Sequence, residues 1–117
     1  MSNPDTGANP QHLDHLTNLF RLLSDRTRLN ILMLLSAGER NVSSLCDELQ
    51  LPQPTVSHHL GLLRNSNLIG NRRSGKQVFY GLNGKMDSIH RDLFHIFTQA
   101  YELRIVARAA EPVAAAV

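Results

Sequence analysis

Residues 53–82 read QPTVSHHLGLLRNSNLIGNRRSGKQVFYGL, and the hydrophobic period changes halfway along this stretch. In the first half, apolar residues such as Val56 and Leu60 recur at steps of three and four, which predicts a helix over residues 53–65. The second half alternates apolar and polar residues after the turn sequence Arg-Ser-Gly-Lys, which predicts a β-hairpin over residues 69–82. A helix followed directly by a hairpin therefore forms the centre of the predicted fold.

Positive charge is concentrated in the same region. Between Leu49 and Met86 the chain has no Asp or Glu, although its overall net charge is only +2. A surface that binds a polyanion needs such a segment, because each neutralised phosphate releases counterions and no carboxylate repels the backbone. The scarcity of aromatic residues and the absence of Trp disfavour stacking on single strands, so we expect a duplex. The basic residues of the segment are Arg64, Arg72, Arg73, Lys76 and Lys85.

Three further helices are predicted before this region. The first covers about residues 11–23, and Ser24 is a suitable N-cap for a second that ends near Ser36. Asn41 can cap a short third helix over residues 42–49. Two short helices joined by a tight connection, the second carrying small polar residues, are typical of a helix-turn-helix.

The chain after the hairpin has apolar residues at a three-four spacing. This repeat predicts a long helix over residues 86–107 whose apolar seam packs against a second copy of the chain. Packing within its own chain is the alternative. The residues that carry the repeat are Met86, Ile89, Leu93, Ile96, Ala100, Leu103 and Ala107.

The length of 117 residues predicts a single domain. We expect it to span residues 11–108, between a flexible amino-terminal arm (1–10) and a flexible carboxy-terminal tail (109–117). No signal peptide or membrane-spanning segment is visible, so no membrane partner is expected. The single cysteine excludes an internal disulfide and fits the reducing cytoplasm.

Three segments in order, LSDRTRLNILMLL, LCDELQLPQPTVSHHLGLLRNSNLI and NRRSGKQVFYGL, resemble the ArsR/SmtB-type winged helix-turn-helix repressors of bacteria. The resemblance covers about residues 13–103. It implies a mostly α fold with a small β-hairpin, in the order α1-α2-α3-α4-β-β-α5, and a homodimer that binds a palindromic operator and is released by an inducer. It also implies dimerisation through the first and last helices, with the interface residues Leu13, Leu16, Phe20, Ile89, Leu93, Ile96, Ala100 and Leu103.

The predicted recognition helix would lie in the major groove, with the hairpin as a wing on the DNA backbone. Short polar side chains and a histidine ring in its first turns can reach base edges, and Gln53 can make two hydrogen bonds to adenine. Basic residues at its end and in the wing are expected to bind phosphate. The predicted DNA contacts are Gln53, Thr55, Ser57, His58, His59, Arg64, Arg72, Arg73, Lys76 and Gln77, although His59 lies at the margin of the inward face.

The resemblance does not extend to the known effector sites. Where arsenite-sensing relatives have three thiols this chain has only Cys46, with Asn41 and Ser43 at the other positions. A single thiolate cannot form a three-coordinate soft site. Where zinc-sensing relatives place a carboxylate and a histidine after the wing, this chain has Gly84 and Met86, neither of which suits zinc.

We expect no cofactor to be required, and the effector is unassigned. A regulator without an effector, or one tuned by an organic ligand or a protein, is the preferred hypothesis. A second hypothesis is a divalent metal bound by histidines of the terminal helices. A third is a redox response of Cys46. The position of Cys46 in an apolar stripe of its helix favours the alternative, in which it is a small buried hydrophobic residue. The candidate metal ligands are His12, His15, His90 and His95.

Catalysis is not expected. The sequence has no Gly-rich phosphate loop, no nucleophile with a recognisable base and no metal constellation. The more serious alternative is a module that binds DNA non-specifically as an architectural protein, with similar affinity for any duplex.

Overall fold

The computed structural model describes residues 10–83, 86–87, 93–97 and 102–106. The predicted arm lies outside the described residues except for Pro10, which begins the first helix, and the predicted tail lies outside them entirely. No helix in the described part of the chain is long and apolar enough to cross a bilayer.

The first two helices are α1 (Pro10–Leu23) and α2 (Arg26–Ser36). Only the end of α1 is buried, through Leu19 and Leu23. The N-cap of α2 is Asp25, whose carboxylate accepts a hydrogen bond from a backbone N–H at 3.0 Å. The prediction that Ser24 caps this helix is wrong by one residue, because the Ser24 hydroxyl donates back to the last turn of α1 at 2.7 Å.

The helix-turn-helix consists of α3 (Val42–Leu49) and α4 (Gln53–Asn65). Asn41 caps α3 as predicted, accepting from the N–H of Ser44 at 2.8 Å. Pro52 occupies the N-cap of α4 and supplies no side-chain hydrogen bond, so its carbonyl and a proline in the first turn define the start of that helix.

A three-stranded antiparallel sheet follows, in the spatial order β1-β3-β2. The hairpin strands are β2 (Ile69–Ser74) and β3 (Gln77–Leu82), as predicted. They are joined by a two-residue turn whose first residue, Gly75, has φ +62°, a conformation that favours glycine. The short strand β1 (Arg40–Asn41) pairs with β3 and was not predicted, since two residues carry no period.

The described residues after the hairpin form strands, and the predicted long helix over residues 86–107 is therefore wrong where it can be compared. The strands β4 (Met86–Asp87), β5 (Leu93–Phe97) and β6 (Glu102–Val106) form a second antiparallel sheet in the order β4-β5-β6. The sequences LFHIF and ELRIV are rich in aromatic and β-branched residues, which favour extended backbone.

This correction changes the secondary structure of the elements that carry the carboxy-terminal part of the predicted dimer interface. A strand repeats every two residues and cannot present a seven-residue repeat as one stripe. Leu93 and Ile96 lie in β5 and Leu103 in β6, where Ile96 and Leu103 are paired in register. Ile89 and Ala100 lie outside the described residues.

The described part of the chain has one buried apolar core, to which α1–α4 and the start of β2 all contribute. It holds α4 by one face, because the predicted inward residues of that helix are at most 1% exposed. The opposite face of α4 is thereby directed away from the core. The buried residues are Leu19, Leu23, Ile31, Leu32, Leu35, Leu45, Val56, Leu60, Leu63, Leu68 and Ile69.

Candidate DNA interface

The tight connection between α3 and α4 positions the candidate recognition helix. Gln50 ends α3 in the left-handed conformation, with φ 56°. The next residue, Leu51, packs against the core, and its N–H donates to the carbonyl of Cys46 at 3.2 Å. The chain therefore reverses within three residues, and α4 begins beside α3.

One face of α4 is solvent-exposed along its whole length. Gln53, Ser57, Gly61 and Arg64 are all exposed and follow a four-four-three spacing, which places them on one side of the helix. His58 is also exposed, next to this line. The arrangement presents an amide, a hydroxyl, an imidazole and a guanidinium on a rigid support.

Thr55 and Gly61 differ from the exposed polar residues of α4. Thr55 is half-buried, so only part of its surface is available for contact. A Cβ added at Gly61 would meet no other atom within 4 Å, so packing within the described chain does not require a glycine there.

His59 faces the protein interior and its side chain is only 13% exposed. Its Nδ1 lies 3.2 Å from the Nη1 of Arg28 and 4.0 Å from a carboxylate oxygen of Asp25. A guanidinium can only donate, so Nδ1 accepts this hydrogen bond and the ring proton of neutral His59 lies on Nε2. The structure thus places His59 at the junction of α2 and α4, turned away from the exposed face.

Arg28 ties three elements together. Its Nε donates to the carbonyl of Leu22 in α1 at 2.5 Å, while its Nη1 reaches His59 in α4. Its backbone N–H lowers the pKa of Asp25 below the usual value, and the positive charge of its guanidinium acts in the same direction. Sequence reasoning missed Arg28, because 31 residues separate it from His59 and no local period links them.

The wing carries two exposed cations near its tip. Arg73 lies one residue before the end of β2, and Lys76 is the second residue of the turn. Within the described residues neither has an ion-pair partner, and the same holds for Arg64 at the end of α4. These three side chains are the cations of the predicted set that the described chain leaves available for phosphate.

The other two wing candidates have partners within the protein. The Nε of Arg72 donates to a carboxylate oxygen of Glu39 at 2.7 Å, and the Arg72 guanidinium carbon lies 4.9 Å from the ring centroid of Phe79. The amide oxygen of Gln77 accepts from the Asn41 side chain at 3.5 Å. Glu39 therefore brings a carboxylate to a region whose own sequence contains none.

This chain is similar to a known protein family and to individual members of it. The family model described as bacterial regulatory protein, arsR family, matches residues 25–70 of this chain, which run from the cap of α2 into the wing. The arsenical resistance operon repressor of Staphylococcus xylosus is 39% identical over 79 residues, covering 67% of this chain and 76% of that repressor. This chain belongs to the arsR family of bacterial regulatory proteins.

Two further similarities bear on the fold. The arsenical resistance operon repressor of Escherichia coli (strain K12) is 50% identical over 66 residues, and this arsR-family chain spans 56% of its length. The homodimeric winged helix-turn-helix DNA-binding domain of Mb0332 from Mycobacterium bovis has a TM-score of 0.60 at 31% identity, covering 64% of this chain and 69% of that one. The predicted winged helix-turn-helix fold is confirmed.

The candidate effector residues of this arsR-family chain lie on several different elements. Cys46 is half-buried and packs against the core. His15 is exposed on α1, which also contains His12, whereas His95 lies in β5 opposite Asp87 and Arg104. His90 lies outside the described residues. Within the part that is described, no three His, Cys, Asp or Glu side chains are grouped as metal ligands.

Proposed function

We propose that this protein is a transcriptional repressor that binds one double-stranded operator sequence as a homodimer, with α4 in the major groove and the wing on the backbone. The observation that carries the proposal is the exposed polar face of α4, which a buried apolar face holds against the core, together with the exposed cations of the wing. Rigid placement of a few polar side chains against base edges is what sequence-specific binding requires.

We divide the predicted contacts into three groups. Gln53, Ser57 and His58 are exposed, and we assign them to base contacts, with Thr55 beside them. Arg64, Arg73 and Lys76 are exposed, and we assign them to phosphate contacts. The other three candidates, His59, Arg72 and Gln77, have intramolecular partners. We assign His59 and Gln77 to positioning the helix and the wing, and we place Arg72 in none of the three groups because Glu39 occupies its guanidinium.

Dimerisation rests on α1 in this proposal. Leu13 is 54% exposed and Phe20 is 51% exposed, and the seven-residue step between them places both apolar side chains on one face of α1. Leu16 lies between them and is half-buried. A second copy that covers this face would bring two recognition helices to a palindromic site.

For the effector, we propose control by an organic ligand or a protein, or no effector at all. Two positive observations support this choice over arsenite or redox sensing. The Asn41 side chain is already used as a helix cap, and Cys46 packs with apolar neighbours as a small hydrophobe. A divalent metal bound through histidines is the alternative that the same titration tests.

The test is a fluorescence-anisotropy titration on the duplex upstream of the protein's own gene and on a scrambled duplex. Specific binding predicts a preference of about 10³-fold or more for the native duplex. Equal affinity for both duplexes, with a similar salt dependence, would instead support an architectural DNA-binding module. Repeating the titration with Zn²⁺, Ni²⁺ or a mild oxidant tests the metal and Cys46 hypotheses.

Two variants separate the assigned roles. His58→Ala is expected to weaken binding to the native duplex far more than to the scrambled one, because it removes a base contact. Arg73→Ala is expected to weaken both alike and to reduce the salt slope by about one charge. Equal losses on both duplexes for His58→Ala would remove that residue from the base-reading group.

A further inference from the structure

The ion pair between Glu39 and Arg72 joins two segments that lie 33 residues apart in the sequence. Glu39 directly precedes β1, and Arg72 is in β2 at the opposite edge of the same sheet. The pair therefore spans the central strand β3, with the Arg72 guanidinium over Phe79 of that strand. A carboxylate and an aromatic face together hold one of the wing cations.

The local backbone brings Glu39 to this position. Gly38 has φ +147°, a conformation that glycine adopts readily and that turns the chain after α2. Pairing of Arg40 with Tyr80 then places Glu39 next to Gly81 of β3. A Cβ on Gly81 would lie 3.1 Å from the Cγ of Glu39, so the glycine lets the carboxylate stem lie close against the strand.

The pair lies on the outer face of the sheet. Tyr80 and Leu82 pack against the core, so the alternate residues of β3 face away from it. Arg72 is paired in register with Phe79 and shares that outer face, together with Glu39. The side chains of Arg72 and Glu39 are 57% and 48% exposed, so solvent screens the pair and a phosphate from solution can compete for the guanidinium.

We propose that Glu39 competes intramolecularly with DNA phosphate for Arg72 and thereby lowers the affinity of the wing for any duplex. This inference rests on the proposed DNA-binding function. Arg73 and Lys76 contribute their full charge to the DNA backbone, whereas the charge of Arg72 is offset until the Glu39 contact is given up. The structure thus assigns to Glu39 a role in setting affinity, although it lies outside both the recognition helix and the wing.

The test compares Glu39→Gln with Asp14→Asn in anisotropy titrations over a series of salt concentrations. Asp14 is exposed on α1, so its substitution removes the same charge away from the wing. Glu39→Gln is expected to bind native and scrambled duplexes about three- to tenfold more tightly at low salt, with a salt slope steeper by about 0.9. Asp14→Asn is expected to change affinity by less than about twofold.

A double variant ties the effect to Arg72. In an Arg72→Ala background, Glu39→Gln is expected to behave like Asp14→Asn, because no guanidinium remains to be released. A gain that persists without Arg72 would overturn the proposal, as would Glu39→Gln binding no more tightly than Asp14→Asn. Weaker binding by Glu39→Gln would show that the pair positions the wing for DNA, and this also overturns it.

The two proposals can fail separately. If the parent protein prefers its native duplex but Glu39→Gln gives no gain, only the role of Glu39 is refuted. If the parent protein shows no preference, sequence-specific repression is refuted. The ratio of Glu39→Gln to Asp14→Asn affinity on the scrambled duplex then still decides whether Glu39 competes for Arg72.

Discussion

Replacing Arg28 by alanine is expected to destabilise the junction between α1, α2 and α4. The Arg28 side chain is only 14% exposed and donates to the carbonyl of Leu22 at 2.5 Å and to Nδ1 of His59 at 3.2 Å. The variant would leave both acceptors without their donor in a place that water reaches poorly. It would also release His59, which anchors the recognition helix to α2.

The magnitude follows from the two part-buried hydrogen bonds and one weak ion pair, since the third bond of this side chain, to the carbonyl of Arg21 at 3.4 Å, is solvent-exposed and adds little. Each bond from the partly buried guanidinium contributes about 1–1.5 kcal/mol after the exchange with water. An Asp25 carboxylate oxygen lies 4.0 Å from Nη1 of Arg28, and the Asp25 side chain is one-third exposed. Exposed ion pairs contribute about 0–1 kcal/mol, so this pair adds only a few tenths of a kcal/mol. The expected loss is therefore about 2–3 kcal/mol, which lowers Tm by about 4–8 °C per kcal/mol in a small domain.

The assay is urea unfolding followed by circular dichroism, with Arg26→Ala as the matched control. Arg26 is the exposed first residue of the same helix, and its substitution also removes a positive charge near the helix amino terminus. In both variants the loss of this positive charge is slightly stabilising, by about 0.3–1 kcal/mol, because a cation near the helix amino terminus opposes the helix dipole. A difference between the two variants below about 0.5 kcal/mol would refute the junction role of Arg28.

Four further predictions concern stability. Leu60→Ala is expected to cost about 2–5 kcal/mol in urea unfolding, whereas Leu62→Ala on the exposed side of α4 costs well under half of that; equal losses would contradict the assigned faces. Asn41→Ala removes the α3 cap and is expected to lower the free energy of unfolding by about 0.5–2 kcal/mol, with Asn41→Asp as the cap-retaining control. Gly61→Ala is expected to raise the free energy of unfolding by ~1 kcal/mol, the difference between glycine and alanine in an open helix interior, and therefore to raise Tm. A lower Tm would reveal a steric conflict. The pKa of Asp25 is lowered on folding, so the charged carboxylate stabilises the protein above the unfolded-state pKa, and this contribution is lost as pH falls through the lowered value. The stability advantage of the parent protein over Asp25→Asn should therefore shrink between pH 5 and about pH 3, near the ordinary Asp pKa. An advantage that does not change with pH would contradict this prediction.

Local patterns were sufficient for α3, α4 and the wing. The three-four spacing of Val56, Leu60 and Leu63 predicted the buried face of α4, and the alternation in residues 77–82 predicted β3. The same kind of pattern was wrong in the described residues 86–87, 93–97 and 102–106, where a three-four repeat coincides with segments rich in strand-forming residues.

The sequence by itself determined the winged helix-turn-helix fold, the polar face of the recognition helix and the positive charge of the wing, because each depends on residues close together in the chain. Only the tertiary structure decided which candidates have partners within the protein. His59 is bound to Arg28 and Arg72 to Glu39, through contacts that span 31 and 33 residues. Such pairs form where the core packs α2 against α4 and where β1 pairs with β3, so no local period or spacing could predict them.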